Sequence, residues 1–269
     1  MQSKVVLITG GSSGIGKAMG TYLKSKGHTV YGTTRNKEKY PGFDDFTLLE
    51  LDVRNSDSIA LAVAALIATE GRIDVLVNNA GVGITGPVEE TPQKEIANAF
   101  DVNFQGPLAV AKAVLPQMRK QKSGLIINIT SIAGFMGLPY RGIYSATKSA
   151  LEIVAEAMRM EVRDFGVHIT NLAPGDFTTN IAAGRFHVGA DKNSPYYEKY
   201  NSTLKSINES VAGGGDPLQV AQAVAKIIDS KNPKVSYKVG ARTQKFSILL
   251  KKIVPQKIFE KLLLKHYKL

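Results

Sequence analysis

The 269-residue sequence contains no cysteine. Disulfides, thiolate nucleophiles and thiolate metal sites are therefore excluded, and a reducing compartment is permitted. The four histidines, His28, His168, His187 and His266, show no metal-ligand spacing, so no zinc site is expected. No apolar run reaches the roughly 18 to 20 residues of a membrane span. Residues Met1 to Lys4 lead straight into a short apolar stretch, and a cytoplasmic chain without a signal peptide is expected. Acid is scarce at one end. Residues 240–269 hold Arg242, Lys245, Lys251, Lys252, Lys257, Lys261, Lys265 and Lys268 against the single acid Glu260. That end carries +7 of the net +11, leaving +4 for the first 239 residues.

What is present reads as alternating strands and helices. Hydrophobic residues at 43% and charged residues at 21% are ordinary for a soluble globular chain. Lys4 to Thr9 is an apolar, β-branched run that suits a strand buried on both faces. Thr9-Gly10-Gly11-Ser12-Ser13-Gly14-Ile15-Gly16 follows, then a helical pattern to Lys26-Gly27. A glycine-rich turn between strand and helix offers close backbone approach, free N–H groups and a positive dipole end to a phosphate. Further strands are expected at 28–34, 46–53, 74–78, 125–130 and 167–173. Helices are expected at 56–69 with Ser56 as cap, at 92–120 with breaks near Gly106-Pro107 and Pro116, at 144–165, and at 217–228 behind Asp216. This alternation implies one doubly wound parallel sheet of the Rossmann type, flanked by helices.

Two positions carry chemical meaning of their own. The second strand ends Thr33-Thr34-Arg35, where an acid would bind a ribose 2′-hydroxyl and an arginine suits a 2′-phosphate. This favours NADP(H) and leaves NAD(H) open; Arg35 also fits a plain surface loop. Tyr144 and Lys148 stand four residues apart, which places them on one face of a helix. Free tyrosine titrates near about 10, and an ammonium one turn away favours the phenolate. A solvated helix face would show the same spacing.

Taken in order, these motifs resemble the short-chain dehydrogenase/reductase family over residues 3 to 240. The matching residues are Thr9-Gly10 with Gly14 and Gly16, Asn78-Asn79-Ala80-Gly81, Asn103, Ser131, Tyr144 with Lys148, and Pro174-Gly175. The resemblance implies that Tyr144 is the general acid in ketone reduction and the base in alcohol oxidation. It implies that Lys148 supports Tyr144 and holds the nicotinamide ribose, that Ser131 binds the substrate oxygen, and that Asn103 links Lys148 to a proton relay. It also implies cofactor contacts from Gly10, Ser12, Ser13, Gly14, Ile15, Gly16, Arg35, Asp52, Val53, Asn79, Gly81, Pro174, Gly175, Phe177 and Thr179, with Asp52 and Asn79 on the adenine side. Relatives of this kind are commonly dimers or tetramers, so a homo-oligomer is expected. No histidine and no nucleophile elbow accompany Ser131, which argues against acyl chemistry.

Residues 180–212 fall where relatives carry a substrate lid. Phe177, Phe186, Tyr196, Tyr197 and Tyr200 suit an apolar substrate there or the packing of a helical insert. The extension 241–269 repeats Phe246, Leu249, Leu250 and Ile253 at helical spacing among lysines, with a second apolar set from Ile258 to Leu263 beyond Pro255. Docking on the core, docking on a second subunit and peripheral contact with an anionic membrane all fit it. Nucleic acid does not, because no aromatic-basic interleaving accompanies the charge. The expected function is NADP(H)-dependent interconversion of a ketone and a secondary alcohol on an apolar substrate such as a steroid, retinoid or long-chain keto compound. The alternatives are a 3-oxoacyl thioester reductase and a non-catalytic dinucleotide-binding sensor.

Overall fold

The structure, a computed structural model, describes residues 2–178, 184–189 and 191–269. Thr179 lies outside the described residues, as do part of the expected lid (180–183) and Ala190.

The chain begins with β1 (Val5–Ile8), α1 (Gly14–Ser25), β2 (Thr29–Thr34), β3 (Thr47–Glu50) and α2 (Ser56–Glu70). It continues through β4 (Val75–Asn78), the short β5 (Ile84–Thr85), α3 (Gln93–Phe100) and α4 (Gly106–Gln121). Then come β6 (Gly124–Ile129), α5 (Gly142–Glu161), β7 (Val167–Pro174), the short β8 (Phe186–His187) and α6 (Tyr197–Ala212). The last elements are α7 (Leu218–Ile228), β9 (Ser236–Val239), α8 (Arg242–Ile253) and α9 (Gln256–Tyr267).

Seven strands form one parallel sheet in the order β3-β2-β1-β4-β6-β7-β9. Alternate residues feed two cores, one on each face of the sheet. Leu7, Leu76, Ile126 and Ile169 point to the side of α2, α4 and α5. Ile8, Val75, Val77 and Ile127 point to the side of α1 and α7. The strand order reverses between β1 and β4, and an open parallel sheet binds its ligands beyond the strand ends at that switch point.

Several boundaries differ from the sequence reading. Asn55, not Ser56, caps α2, because its side chain accepts from Asp57 and Ser58 N–H groups at 2.9 Å. The helix expected at 92–120 is interrupted not at Gly106-Pro107 or Pro116 but one turn earlier. Residues Asp101–Gln105 form a π turn that carries Asn103. The local pattern hid this turn because Asn103 is held by tertiary partners. β9 was not foreseen, since its side chains are only half-buried at the sheet edge. In the tail, the stripe Phe246, Leu249 and Ile253 points to solvent, whereas Ile248 and Phe259 are the buried residues. They pack on Ile132 and Met136, just beyond the end of β6.

A buried amide ladder crosses the sheet near its functional edge. Asn78 donates to Asn128 at 2.9 Å, Asn128 to Asn171 at 3.2 Å, and Asn171 to the Glu152 carboxylate at 3.0 Å. The register places these three asparagines side by side on β4, β6 and β7. Replacing Asn128 by Leu leaves the Asn171 carbonyl oxygen without its donor. This substitution is expected to lower the unfolding free energy by about 1–3 kcal/mol in chemical denaturation. An unchanged midpoint would show that the ladder adds nothing to stability.

Candidate active site

The cleft is built where the first strand stops. β1 ends at Ile8, and Thr9 starts the glycine turn that leads into α1. Gly14 sits at φ +53°, a conformation that favours glycine, and a Cβ on Gly16 would lie 2.1 Å from the Gly10 carbonyl oxygen. Ser13 caps α1 without a side-chain hydrogen bond, and the first turn of the helix holds no acid. The backbone N–H groups at that helix end are thus directed at whatever occupies the cleft. A phosphate or pyrophosphate is the group such an end accepts best.

The turn is fastened to the end of β4. The Thr9 hydroxyl accepts from Asn79 and Ala80 N–H groups at 2.9 and 3.0 Å. The Asn79 amide donates back to the Thr9 and Gly10 carbonyl oxygens at 3.0 and 3.1 Å. Asn79 lines the cleft, but its side-chain donors are already committed to holding the glycine turn.

The cleft has a cavity volume of about 420 Å³. It brings together Gly10, Ser12, Ser13, Gly14, Ile15, Gly16, Arg35, Asp52, Val53, Asn79, Gly81, Ser131, Tyr144, Lys148, Pro174, Gly175 and Phe177. These are the site residues expected from the sequence, apart from Asn103, which stands behind the wall, and Thr179. At the far end Arg35 is exposed, as the sequence suggested. Arg54, which carries no motif signal in the sequence, pairs there with Asp52 at 2.7 Å. That guanidinium holds the Asp52 carboxyl below the usual carboxylate range, with Arg35 adding a smaller push in the same direction.

At the near end Lys148 is buried, and its Nζ donates to the Ile129 carbonyl oxygen at 3.0 Å. Loss of hydration lowers its pKa from the ordinary lysine value to about 8, against an opposing pull from Glu152. Glu152 stands one helical turn beyond Lys148, buried, and accepts from Thr130 and Asn171. Burial raises the Glu152 pKa while those two hydrogen bonds act against it. Nothing local in the sequence marks the burial of this pair.

Ser131 is nearly buried, and its hydroxyl oxygen accepts from the Ala133 N–H at 3.1 Å. Its own hydrogen therefore remains available as a donor. Asn103 is wholly enclosed: its oxygen accepts from Val82 N–H at 2.8 Å, and its amide donates to the Val82 carbonyl and the Thr147 hydroxyl. Arg141 lies over the Tyr144 ring at 5.5 Å, and Arg185 and Asp176 line the same mouth. None of the three carries a local signal in the sequence.

The aromatic residues of the expected lid mostly do other work. Tyr200 is buried, packs on Tyr140 and donates to the Thr85 carbonyl at 3.1 Å, and Tyr196 donates to Glu89 at 2.6 Å. They anchor α6 rather than line the cleft, whose apolar lining includes Val82, Ile84, Phe177 and Val211. The tail completes the mouth. Gln244 of α8 donates to the Asp176 carboxylate at 2.7 Å, and Tyr267 of α9 faces Arg141 and Asp176.

Known proteins with this organisation are numerous. A family model described as short chain dehydrogenase matches residues 4–188. A 3-ketodihydrosphingosine reductase from Bacteroides thetaiotaomicron is 41% identical, over 91% of this chain and 90% of its own. A short-chain dehydrogenase structure from Streptomyces avermitilis superimposes with a TM-score of 0.82 at 31% identity, covering 99% of this chain and 96% of that one. The structure of ElxO with NADP bound matches with a TM-score of 0.71 at 28% identity, covering 88% and 97%. The glycine turn, the uncapped start of α1 and the Ser131, Tyr144 and Lys148 side chains fit the nicotinamide dinucleotide that such enzymes hold. The chain belongs to the short-chain dehydrogenase/reductase family, as an oxidoreductase that acts on CH–OH and keto groups with a nicotinamide dinucleotide.

Proposed function

We propose that the protein reduces an apolar, long-chain ketone to a secondary alcohol with NADPH. One observation carries the reading: Ser131, Tyr144 and Lys148 line one cleft beside the glycine turn, beyond the ends of parallel strands. The glycine turn and Lys148 would hold the cofactor there, and its chemistry would be to supply hydride to the carbonyl carbon. Ser131 donates a hydrogen bond to the carbonyl oxygen, and Tyr144 delivers the proton that converts it to a hydroxyl. The buried Lys148 ammonium stabilises the phenolate left on Tyr144 and helps seat the nicotinamide ribose. Asn103 has spent its side-chain amide on Val82 and Thr147, so that amide is not a proton donor in this scheme.

The substrate class rests on the apolar wall of Val82, Ile84, Phe177 and Val211 and on the relative named for a long-chain keto base. NADPH rests on Arg35 and on the absence of an acid at the end of β2. A second reading, reduction of a 3-oxoacyl thioester, is favoured by Arg141 and Arg185 at the mouth, which suit a phosphate-bearing carrier. Turnover on a free long-chain ketone and on a 3-oxoacyl thioester, measured side by side, separates the two.

Tyr144→Phe should lower kcat at least about 100-fold while NADPH binding, followed by fluorescence, stays unchanged. Comparable turnover in both proteins would remove Tyr144 from the chemistry. Arg35→Asp should reduce kcat/KM for NADPH by roughly 10- to 100-fold, the scale of one charged hydrogen bond, and bring NADH level or ahead. A wild type that prefers NADH would refute the role given to Arg35. Because burial lowers the Lys148 pKa to about 8, its ammonium is complete below that pH and lost above it. For NADPH, kcat/KM should therefore fall as pH rises through about 8, since this parameter reports the free enzyme. A profile that stays level to about pH 10 would contradict the protonated Lys148.

A further inference from the structure

The two tail helices have an inner and an outer face with different chemistry. On α8, Gln244, Ser247 and Ile248 face the protein: Gln244 holds Asp176, and Ile248 joins Phe259 of α9 on Ile132 and Met136. The inner side is thus fully used in bracing the cleft. At 100° per residue, Arg242, Phe246, Leu249 and Ile253 fall on the opposite side of the helix. Phe246, Leu249 and Ile253 are 56%, 51% and 65% exposed. On α9 the outward row is lysine: Lys257, Lys261 and Lys265 stand at successive turns, all exposed, with Ile258 and Leu262 exposed along their flank.

This arrangement is unusual for the molecule. Of thirteen large hydrophobics exposed among the described residues, six lie in α8 and α9. A helix that only docked on its own domain would turn its apolar stripe inward. Here that side is already occupied, and a second apolar stripe points away from it. The charge selects the occupant. Residues 240–269 carry +7 with Glu260 as their single acid, a balance that favours an anionic surface over a second copy of the same basic helices.

We propose that α8 and α9 form a docking face for an anionic lipid bilayer. Phe246, Leu249, Ile253, Ile258 and Leu262 enter the headgroup boundary, and Lys257, Lys261 and Lys265 meet lipid phosphates. The face adjoins the cleft, because Gln244 and Tyr267 of the same helices stand at its mouth beside Asp176 and Arg141. Docking would bring the cleft to the membrane surface without any spanning segment; no helix among the described residues is long and apolar enough to cross a membrane.

Co-sedimentation of the full-length protein with vesicles tests this, using phosphatidylcholine alone and phosphatidylcholine mixed with phosphatidylglycerol. Two triple variants accompany the wild type: F246Q/L249Q/I253Q and K257Q/K261Q/K265Q. The wild type should partition onto the anionic vesicles and be released by salt. Each lysine removed should weaken partitioning about five-fold, and the apolar triple variant should lose at least about ten-fold. Both variants should keep the wild-type unfolding midpoint, which separates loss of docking from loss of fold. Absence of wild-type binding to anionic vesicles at low salt would overturn the proposal. So would binding by both variants equal to that of the wild type, or a concentration-dependent dimer that the apolar substitutions dissolve while vesicles remain unbound.

Discussion

A lysine ammonium removed from water imposes the strictest demand on this structure. Lys148 has lost its hydration, and the Ile129 carbonyl oxygen is one of the few groups that replace it. Burial of a charge is tolerable only where fixed dipoles or an opposite charge stand nearby. The end of β6 supplies the carbonyl, and Glu152 supplies the opposing charge one helical turn away. Glu152 is in turn held by Thr130 and by the amide ladder of Asn171, Asn128 and Asn78. The position of one cation therefore depends on strands β4, β6 and β7 lying in a particular register.

The same economy governs the rest of the cleft. Asn79 lines it, yet spends its amide on holding the glycine turn to β4. Asn103 sits in a π turn and spends its amide on Val82 and Thr147. Such residues set the shape of the site, while Ser131 and Tyr144 line the cleft itself. The tail extends this support from outside. Gln244 grips Asp176, and Ile248 and Phe259 pack behind the turn that follows Ser131. A surface change on α8 or α9 is thus only one side chain away from the cleft.

Much of the site was legible in the sequence because its signals are local. A β-branched run, three spaced glycines and a helical pattern identify a phosphate-binding turn through backbone sterics and helix polarity. The Tyr144 and Lys148 pair follows from the helical repeat. Other features depend on residues distant in sequence and left no such mark. Arg141 and Arg185 meet at the cleft mouth from separate segments, and Gln244 lies 68 residues beyond Asp176. The aromatic residues near 200 suited either a substrate wall or the packing of a helical insert, and Tyr200 and Tyr196 serve the second, with hydrogen-bond partners on the segment around Thr85 and Glu89.

The tail shows the division most clearly. Its two amphipathic helices and its surplus of lysine were properties of the sequence alone, since helical periodicity and charge are local quantities. Which stripe would be buried was not. The stripe of Phe246, Leu249 and Ile253 fitted the core, a second subunit or a membrane equally in the sequence; in the fold it is exposed, and Ile248 and Phe259 are the buried residues. That choice rested on shape: the pocket formed by Ile132 and Met136 accepts these two side chains while Gln244 reaches Asp176. The sequence by itself determined the parallel α/β fold, the glycine turn between β1 and α1, and the four-residue spacing that puts Tyr144 and Lys148 on one helix face. Only the tertiary structure decided which tail face meets the protein and which polar groups are already spent, because burial and hydrogen-bond partners depend on what folds against them.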